Sequence, residues 1–196
     1  MAALFCPAAQ GVLWDEDRPV ASQWGLATFV HRAFPITEQT LGFVHKAFSP
    51  FGYGEHPRSR NAHVVRVFDY EKARFVCVAH MHGLRDLGGK GDTPERVVQA
   101  EKLAELVRRI ASSDDALVVC GDFNVEPGSR TFEILGQLGL VDLVTTQGFE
   151  STRTSHYTKP GTFADYLLVN ERVTVADFTV VKQPEVSDHC PLVLEL

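Results

Sequence analysis

The chain has 196 residues, of which 44% are apolar and 22% are charged, so it can bury a sizeable core and is not expected to be disordered. Its formal charge of −6 argues against a strong, sequence-independent grip on duplex nucleic acid, but not against a small phosphorylated substrate. No apolar run approaches the roughly 20 residues of a membrane span, so no membrane span and a cytoplasmic location are expected.

The first part of the chain predicts short strands and a loop. Residues 26–31 and 41–48 read as strands separated by a turn at Pro35. Residues 50–61, rich in Gly, Pro and Arg, predict a loop. No repeat or long linker interrupts the sequence, so residues 1–196 are expected to form a single domain.

The rest of the chain mixes strand and helix patterns. Thr93 and Pro94 are a capping residue and a first-turn proline, and they open an amphipathic helix. Ser129 opens a second helix, which Gly139 is placed to end. Strands are predicted at 62–70, 74–81, 116–120, 163–170, 173–181 and 191–196, with polar loops at 83–92 and 145–162. The elements do not follow a strict βαβ rhythm, which favours a mixed-sheet α/β or α+β sandwich.

Four cysteines are spread along the chain, and two of them, Cys77 and Cys120, lie inside apolar runs. Buried free thiols are the expected state of these two residues. No CxxC or paired Cys/His spacing suggests zinc, and a disulfide framework is not expected at this length.

The strongest candidate motif is Gly121-Asp122-Phe123-Asn124, directly after a buried strand. In extended chain, Asp122 and Asn124 project together while Phe123 turns into the core. A carboxylate beside a carboxamide suits phosphoryl chemistry, because one can bind a metal or orient water and the other can donate to a phosphate oxygen. A simple turn is an equally good interpretation of this tetrapeptide alone.

Two further segments carry candidate residues. Asp165 stands at the start of an apolar strand, and a buried carboxylate needs a partner, for which His189 is the natural candidate. Asp188 and His189 precede the last strand, where they could place a carboxylate near a metal and an imidazole for proton transfer. Taken alone, the Asp188-His189 dipeptide is at least as typical of an ordinary loop as of a functional site.

His80 and His82 lie on the same side of a strand near its carboxyl end. An H-x-H pair of this kind can bind zinc, which gives a zinc-dependent hydrolase as one alternative function. That alternative ranks last, because it leaves Asp122, Asp165 and His189 without a role.

Together these four segments resemble the endonuclease/exonuclease/phosphatase superfamily, which has a DNase I-like fold. The resemblance lies in their order and strand context: a strand ending in His80, a later strand ending in GDFN, Asp165 in ADYLLV, and Ser187-Asp188-His189 before a final strand. It is clear over residues 62–196. It implies two mixed, largely antiparallel β-sheets packed face to face, with flanking helices.

The resemblance also implies roles for individual residues. Asp122 would activate the attacking water and contact the metal, and Asn124 would steady the water or the phosphate. His80 would donate to a phosphate oxygen. His189 would be the general base, held by Asp165. Asp188 would lie close to the metal, and Mg²⁺ or Mn²⁺ is the expected ion.

The chain departs from this family at its start, where a strand carrying an Asn and a second strand ending in a metal-binding Glu are expected. Glu16, Glu38 and Glu55 are the available acidic residues, and none ends an apolar strand. The fold is therefore expected to be N-terminally incomplete. The alternative function is accordingly a catalytically impaired or inactive fragment, or a binding module of the same fold.

The substrate class stays open among nucleic acid, nucleotide and phospholipid head group, and the sequence gives no oligomeric state. Arg153 is the leading candidate for clamping a phosphate, although a surface Arg in a polar loop is the plainer interpretation. The loops carry other basic candidates: Arg58, Arg60, Arg85, Lys90, His156 and Lys159. Arg96 is expected to anchor the Gly-rich loop 83–92.

Overall fold

A computed structural model describes all 196 residues, which form ten strands and three helices. The strands are β1 (Ala2–Asp15), β2 (Arg18–Val30), β3 (Ile36–His45), β4 (Arg60–Asp69), β5 (Arg74–His82), β6 (Ala116–Asp122), β7 (Val141–Asp142), β8 (Asp165–Val169), β9 (Asp177–Val180) and β10 (Leu192–Glu195). The helices are α1 (Pro94–Ile110), α2 (Arg130–Gly136) and α3 (Leu143–Thr146).

Six strands form one mixed sheet in the order β3-β4-β5-β6-β8-β7. Only β5 and β6 run parallel, and α1 lies in the crossover between them, as parallel pairing requires. The other neighbours pair antiparallel. The carboxyl ends of β5 and β6 therefore meet at one edge of the sheet, beside the start of β8.

The two faces of this sheet are covered by different elements. Gly42 of β3 pairs with Ala62 of β4, and a Cβ on Gly42 would lie only 2.7 Å from Leu106 of α1, so α1 packs on that face. Side chains alternate between faces along a strand, so Asn61 points the opposite way. Its Nδ2 donates to Cys6 O at 2.8 Å, which places the β1–β2 hairpin there.

The remaining strands form two small antiparallel sheets, β1–β2 and β9–β10. The expected α+β sandwich of mixed, largely antiparallel strands with flanking helices is confirmed. The remaining strands do not join into one second sheet, however, but form these two separate pairs. The 173–181 prediction shrinks to β9 (Asp177–Val180), because Val173 N donates to Asn170 O at 3.1 Å and closes a turn instead of pairing in a sheet.

Helix α1 begins where the sequence predicts and ends at Ile110. Thr93 caps it, with its Oγ1 accepting from Arg96 N at 3.3 Å, and Pro94 occupies the first turn. Ser129 caps α2 in the same way. No helix in the protein combines the length and the apolar character needed to cross a membrane.

Candidate active site

The register of the sheet brings three polar residues into one row. His82 at the end of β5 pairs with Asp122 at the end of β6, and Asp122 pairs with Asp165 at the start of β8. Paired residues point to the same face, so the three side chains project together from the edge of the sheet. His82 Nε2 lies 3.7 Å from Asp122 Oδ2.

The GDFN motif turns sharply at this edge. Gly121 has a φ of +132°, and a Cβ there would lie 2.1 Å from Met81 O, so no larger residue fits. Asp122 Oδ1 accepts from Asn124 N at 3.0 Å, and Asn124 itself has a φ of 54°. Phe123 is fully buried, as predicted. The motif is thus both a turn and a platform that presents Asp122 and Asn124.

Asp165 and His189 form the expected pair. His189 Nδ1 lies 2.7 Å from Asp165 Oδ2, and Arg153 Nη1 donates to His189 Nε2 at 2.5 Å. A guanidinium can only donate, so Nε2 is the unprotonated nitrogen and Nδ1 carries the proton toward Asp165. His189 Nε2 also lies 3.9 Å from Asp122 Oδ2. The imidazole is therefore in the tautomer that a general base needs.

The surroundings raise the pKa values of His189 and Asp122. Burial alone would lower the pKa of His189, but the hydrogen bond and charge of Asp165, helped by the charge of Asp122, outweigh it and raise the pKa. Burial and then the charge of Asp165 raise the pKa of Asp122 to about 6. The carboxylate of Asp122 is thus poorly compensated by the protein alone.

His80 lies one row deeper than Asp122, level with Cys120 of β6 and His63 of β4. Its Nε2 is 2.7 Å from Thr28 Oγ1 of the hairpin, and the same hydroxyl is 2.8 Å from His63 Nδ1. Burial lowers the pKa of His80 to about 4. Its side chain does not line the cavity above Asp122, so its role on a phosphate stays a prediction.

His82, by contrast, lines that cavity. The sequence singled it out only as a zinc partner of His80. The alternation of the H-x-H pair places both residues on one face, but only the parallel register of β5 with β6 shows which of them is level with Asp122.

Several carboxylates surround His189, and they are the available metal ligands. The ligand atoms of Asp122, Asp165 and His189 all lie within 4.8 Å of one another. Asp188 Oδ2 lies 4.0 Å from His189 Nε2 and accepts from Arg153 Nη1 at 3.1 Å. Asp165 is already committed to His189, which leaves Asp122 and Asp188 as the freer oxygen donors.

None of the three glutamates weighed as replacements for the family's Glu lines this cavity. Glu38 pairs with Arg66 at 3.3 Å on the edge strand β3. Glu16 lies in the hairpin turn and Glu55 is exposed in the 50–61 loop. Besides Asp122 and Asp188, the acidic side chains that line the cavity are those of Asp86 and Glu126.

The cavity has a volume of about 880 Å³, and its walls are mostly polar. All six basic loop candidates from the sequence line it together with Arg153: Arg58, Arg60, Arg85, Lys90, His156 and Lys159. Arg96 reaches it from α1 and donates to Gly89 O at 2.7 Å, so it anchors the Gly-rich loop as expected. An acidic protein thus concentrates positive charge around one site.

The fold and this site define a class of α+β sandwich proteins whose polar centre lies at one edge of a mixed sheet. The model of the Endonuclease/Exonuclease/phosphatase family matches residues 10–189, so the chain belongs to that family. No curated protein matches it in sequence.

Solved structures share the fold at low sequence identity. An endonuclease/exonuclease/phosphatase from Bacteroides vulgatus superposes with a TM-score of 0.68 at 14% identity, covering 99% of this chain and 76% of its own. A mannosyl-6-phosphatase from Bacteroides thetaiotaomicron gives 0.64 at 15% identity, with coverages of 98% and 76%. D. rerio TDP2, complexed with a single-strand DNA product, gives 0.61 at 14% identity, with the same coverages.

Proposed function

We propose that this protein is a metal-dependent phosphoesterase that hydrolyses a phosphodiester or phosphomonoester with an activated water. The observation that carries the proposal is the Asp165–His189 pair. The unprotonated Nε2 of His189 lies 3.9 Å from Asp122 Oδ2 at the floor of a basic cavity, where it accepts from Arg153 Nη1. Membership of the Endonuclease/Exonuclease/phosphatase family supports it.

The protein's residues divide the work by position. His189 Nε2 takes the proton of the attacking water, and Asp165 stabilises the imidazolium that results. Asp122 orients that water across the short gap to Nε2. Arg153 and Asn124 bind phosphate oxygens, and His82 or His80 adds a donor as negative charge grows in the transition state.

The residues fit a divalent cation. Asp122 Oδ2 accepts no hydrogen bond, and burial raises the pKa of Asp122, so a bound cation would stabilise its carboxylate form. Asp122 and Asp188 would hold Mg²⁺ or Mn²⁺ through oxygen, with waters completing the shell. When bound, the ion supplies Lewis-acid stabilisation of the phosphate charge.

Hydrolysis of bis(p-nitrophenyl) phosphate with Mg²⁺ or Mn²⁺ tests the proposal. Turnover should require the ion, stop with EDTA, and fall at least about 100-fold in Asp122→Ala and His189→Ala. Asp114→Ala, which removes an exposed carboxylate beside Arg172, is the matched control. Turnover equal in all four proteins would refute the proposal.

The second candidate, an inactive fragment or binding module, is favoured by one observation: none of the three substitute glutamates reaches the cavity. It predicts no metal-dependent turnover above the Asp122→Ala variant.

We also propose that residues 1–196 act as one domain in the cytoplasm, where the four unpaired cysteines would stay reduced.

A further inference from the structure

One wall of the cavity gathers basic side chains with no carboxylate among them. His56, Arg58 and Arg60 reach it from the loop 50–61 and the start of β4, and Arg85 reaches it from the Gly-rich loop. None of the three guanidinium groups lies within 4.0 Å of an acidic side chain, although the protein carries 25 Asp and Glu against 19 Lys and Arg. Like charges brought together without compensation repel one another, so the wall suits an anion from outside.

Two of these arginines are held in place by neutral partners. Arg60 is buried, with Nε donating to Gly83 O at 2.8 Å and Nη1 to Tyr53 Oη at 3.2 Å. Arg58 Nε donates to Gly54 O at 2.9 Å, and its guanidinium carbon lies 4.3 Å from the centre of the Tyr53 ring. Fixed guanidinium groups bind phosphate at a lower entropic cost than mobile ones.

His56 completes the wall. Its Nδ1 is buried and has no hydrogen-bond partner. Burial, followed by the charges of Arg58, Arg85 and Arg60, lowers the pKa of His56, although a backbone hydrogen bond with Arg85 acts in the opposite direction. A buried ring nitrogen without a partner is costly unless a ligand satisfies it.

Arg60 of the wall and Asn124 of the candidate active site share one hydrogen-bond acceptor. Gly83 O accepts from Arg60 Nε and also from Asn124 Nδ2, at 3.4 Å. An anion on the wall is therefore a near neighbour of a phosphate held above Asp122.

We propose that His56, Arg58, Arg60 and Arg85 form a second phosphate subsite, so that the substrate is a small molecule with two neighbouring phosphate groups. This inference rests on the proposed function for the first phosphate and adds the second.

Calorimetry with inorganic pyrophosphate and orthophosphate tests the subsite in EDTA, where binding is separate from metal-dependent turnover. Pyrophosphate should bind at least about 10-fold more tightly than orthophosphate. Arg58→Gln/Arg85→Gln should lose most of that preference. The control Arg18→Gln/Arg32→Gln removes the same charge from two exposed arginines outside the cavity and should keep it.

Equal affinity for the two anions, or the same loss in the control, would overturn the subsite, whether or not bis(p-nitrophenyl) phosphate is hydrolysed. The single variant Arg85→Gln, at an exposed residue, gives the same readout if the double variant melts early. ADP should bind more tightly than fructose 1,6-bisphosphate, whose phosphates are far apart. The reverse order would contradict the neighbouring-phosphate geometry.

Discussion

The imidazole of His189 is held between opposite charges, a carboxylate on Nδ1 and a guanidinium on Nε2. The guanidinium of Arg153 must leave Nε2 before that nitrogen can accept a proton, and Asp188 already offers it a second partner at 3.1 Å. A bound phosphate offers a third. Under the proposed function, Arg153 would release Nε2 of His189 as it binds the phosphate.

The first prediction concerns Asp165→Asn. Asp165 raises the pKa of His189, so its neutral amide should let that pKa fall. A base must be neutral to act, so the acidic limb of the kcat/KM profile should move to lower pH, while kcat falls about 100-fold or more because the tautomer is no longer fixed. A pH–rate profile checks this, with Asp114→Asn as control. If the acidic limb does not move, a group other than His189 must titrate there.

The second prediction separates the two histidines of β5. His82→Ala should lower hydrolysis about 10- to 100-fold with little change in melting temperature, because its side chain faces the cavity. His80→Ala should cost about 2 kcal/mol of stability, since it removes one of the two histidine partners of Thr28 Oγ1 and leaves a cavity beside His63. Thermal melts and turnover measured on both variants distinguish the two roles. A stable His80→Ala protein without activity would support the phosphate contact predicted from sequence.

At the scale of elements, α1 holds the Gly-rich loop through one buried arginine. Arg96 is 1% exposed and donates to the carbonyls of Gly89 and Leu84, at 2.7 and 3.4 Å, and of Gly91. The adjacent Gln99 Oε1 accepts from Leu84 N at 2.7 Å. The loop that carries Arg85 and Lys90 is therefore fixed to a helix.

The third prediction is that Arg96→Lys and Arg96→Ala each lose about 2–4 kcal/mol of unfolding free energy. A lysine cannot reproduce the planar fork that reaches several carbonyls at once. Urea unfolding measures this, and Arg108→Lys, on the exposed side of the same helix, is the control. Equal urea midpoints for the Arg96 and Arg108 variants would show that the stability of the protein does not depend on Arg96 anchoring the loop.

Most elements could be predicted because their signals are local. Thr93-Pro94 marks the start of α1, and alternation marks β4. β1 was missed because its Ala-rich sequence has weak strand propensity and its structure comes from pairing with β2. For the same reason, the sequence places His80 and His82 on one face but cannot rank them: the β5–β6 register is set by the crossover. The basic wall also depends on tertiary structure, since residues 56–60 and Arg85 are separated in the sequence by β4 and β5.

At the scale of the whole molecule, two histidines, His63 and His80, lie between the large sheet and β2, where the neutral form is favoured. Burial lowers the pKa of His63, and that of His80 to about 4. In the unfolded chain both would titrate near pH 6.5. The unfolded state therefore binds more protons below that pH.

The fourth prediction follows from that difference. The contribution of His80 should be complete above about pH 6.5 and be lost as the pH falls toward about 4, by an amount on the order of 2–3 kcal/mol. Urea unfolding of wild type and His80→Asn between these pH values measures it. The raised pKa of Asp122 acts in the opposite direction, so the difference between the two proteins isolates the histidine. Parallel pH dependences would place His80 in solvent.

The order of strands in the large sheet has a consequence for how the molecule assembles. β4 and β5 are joined by a tight turn and can pair early, whereas β6 must wait for the α1 crossover and β8 for a long polar segment. His189 follows later still. Each of these closures costs chain entropy that grows with sequence separation. During synthesis, therefore, Asp122, Asp165 and His189 come together only after most of the chain has left the ribosome, and the partly made protein has hairpins but lacks the assembled candidate site.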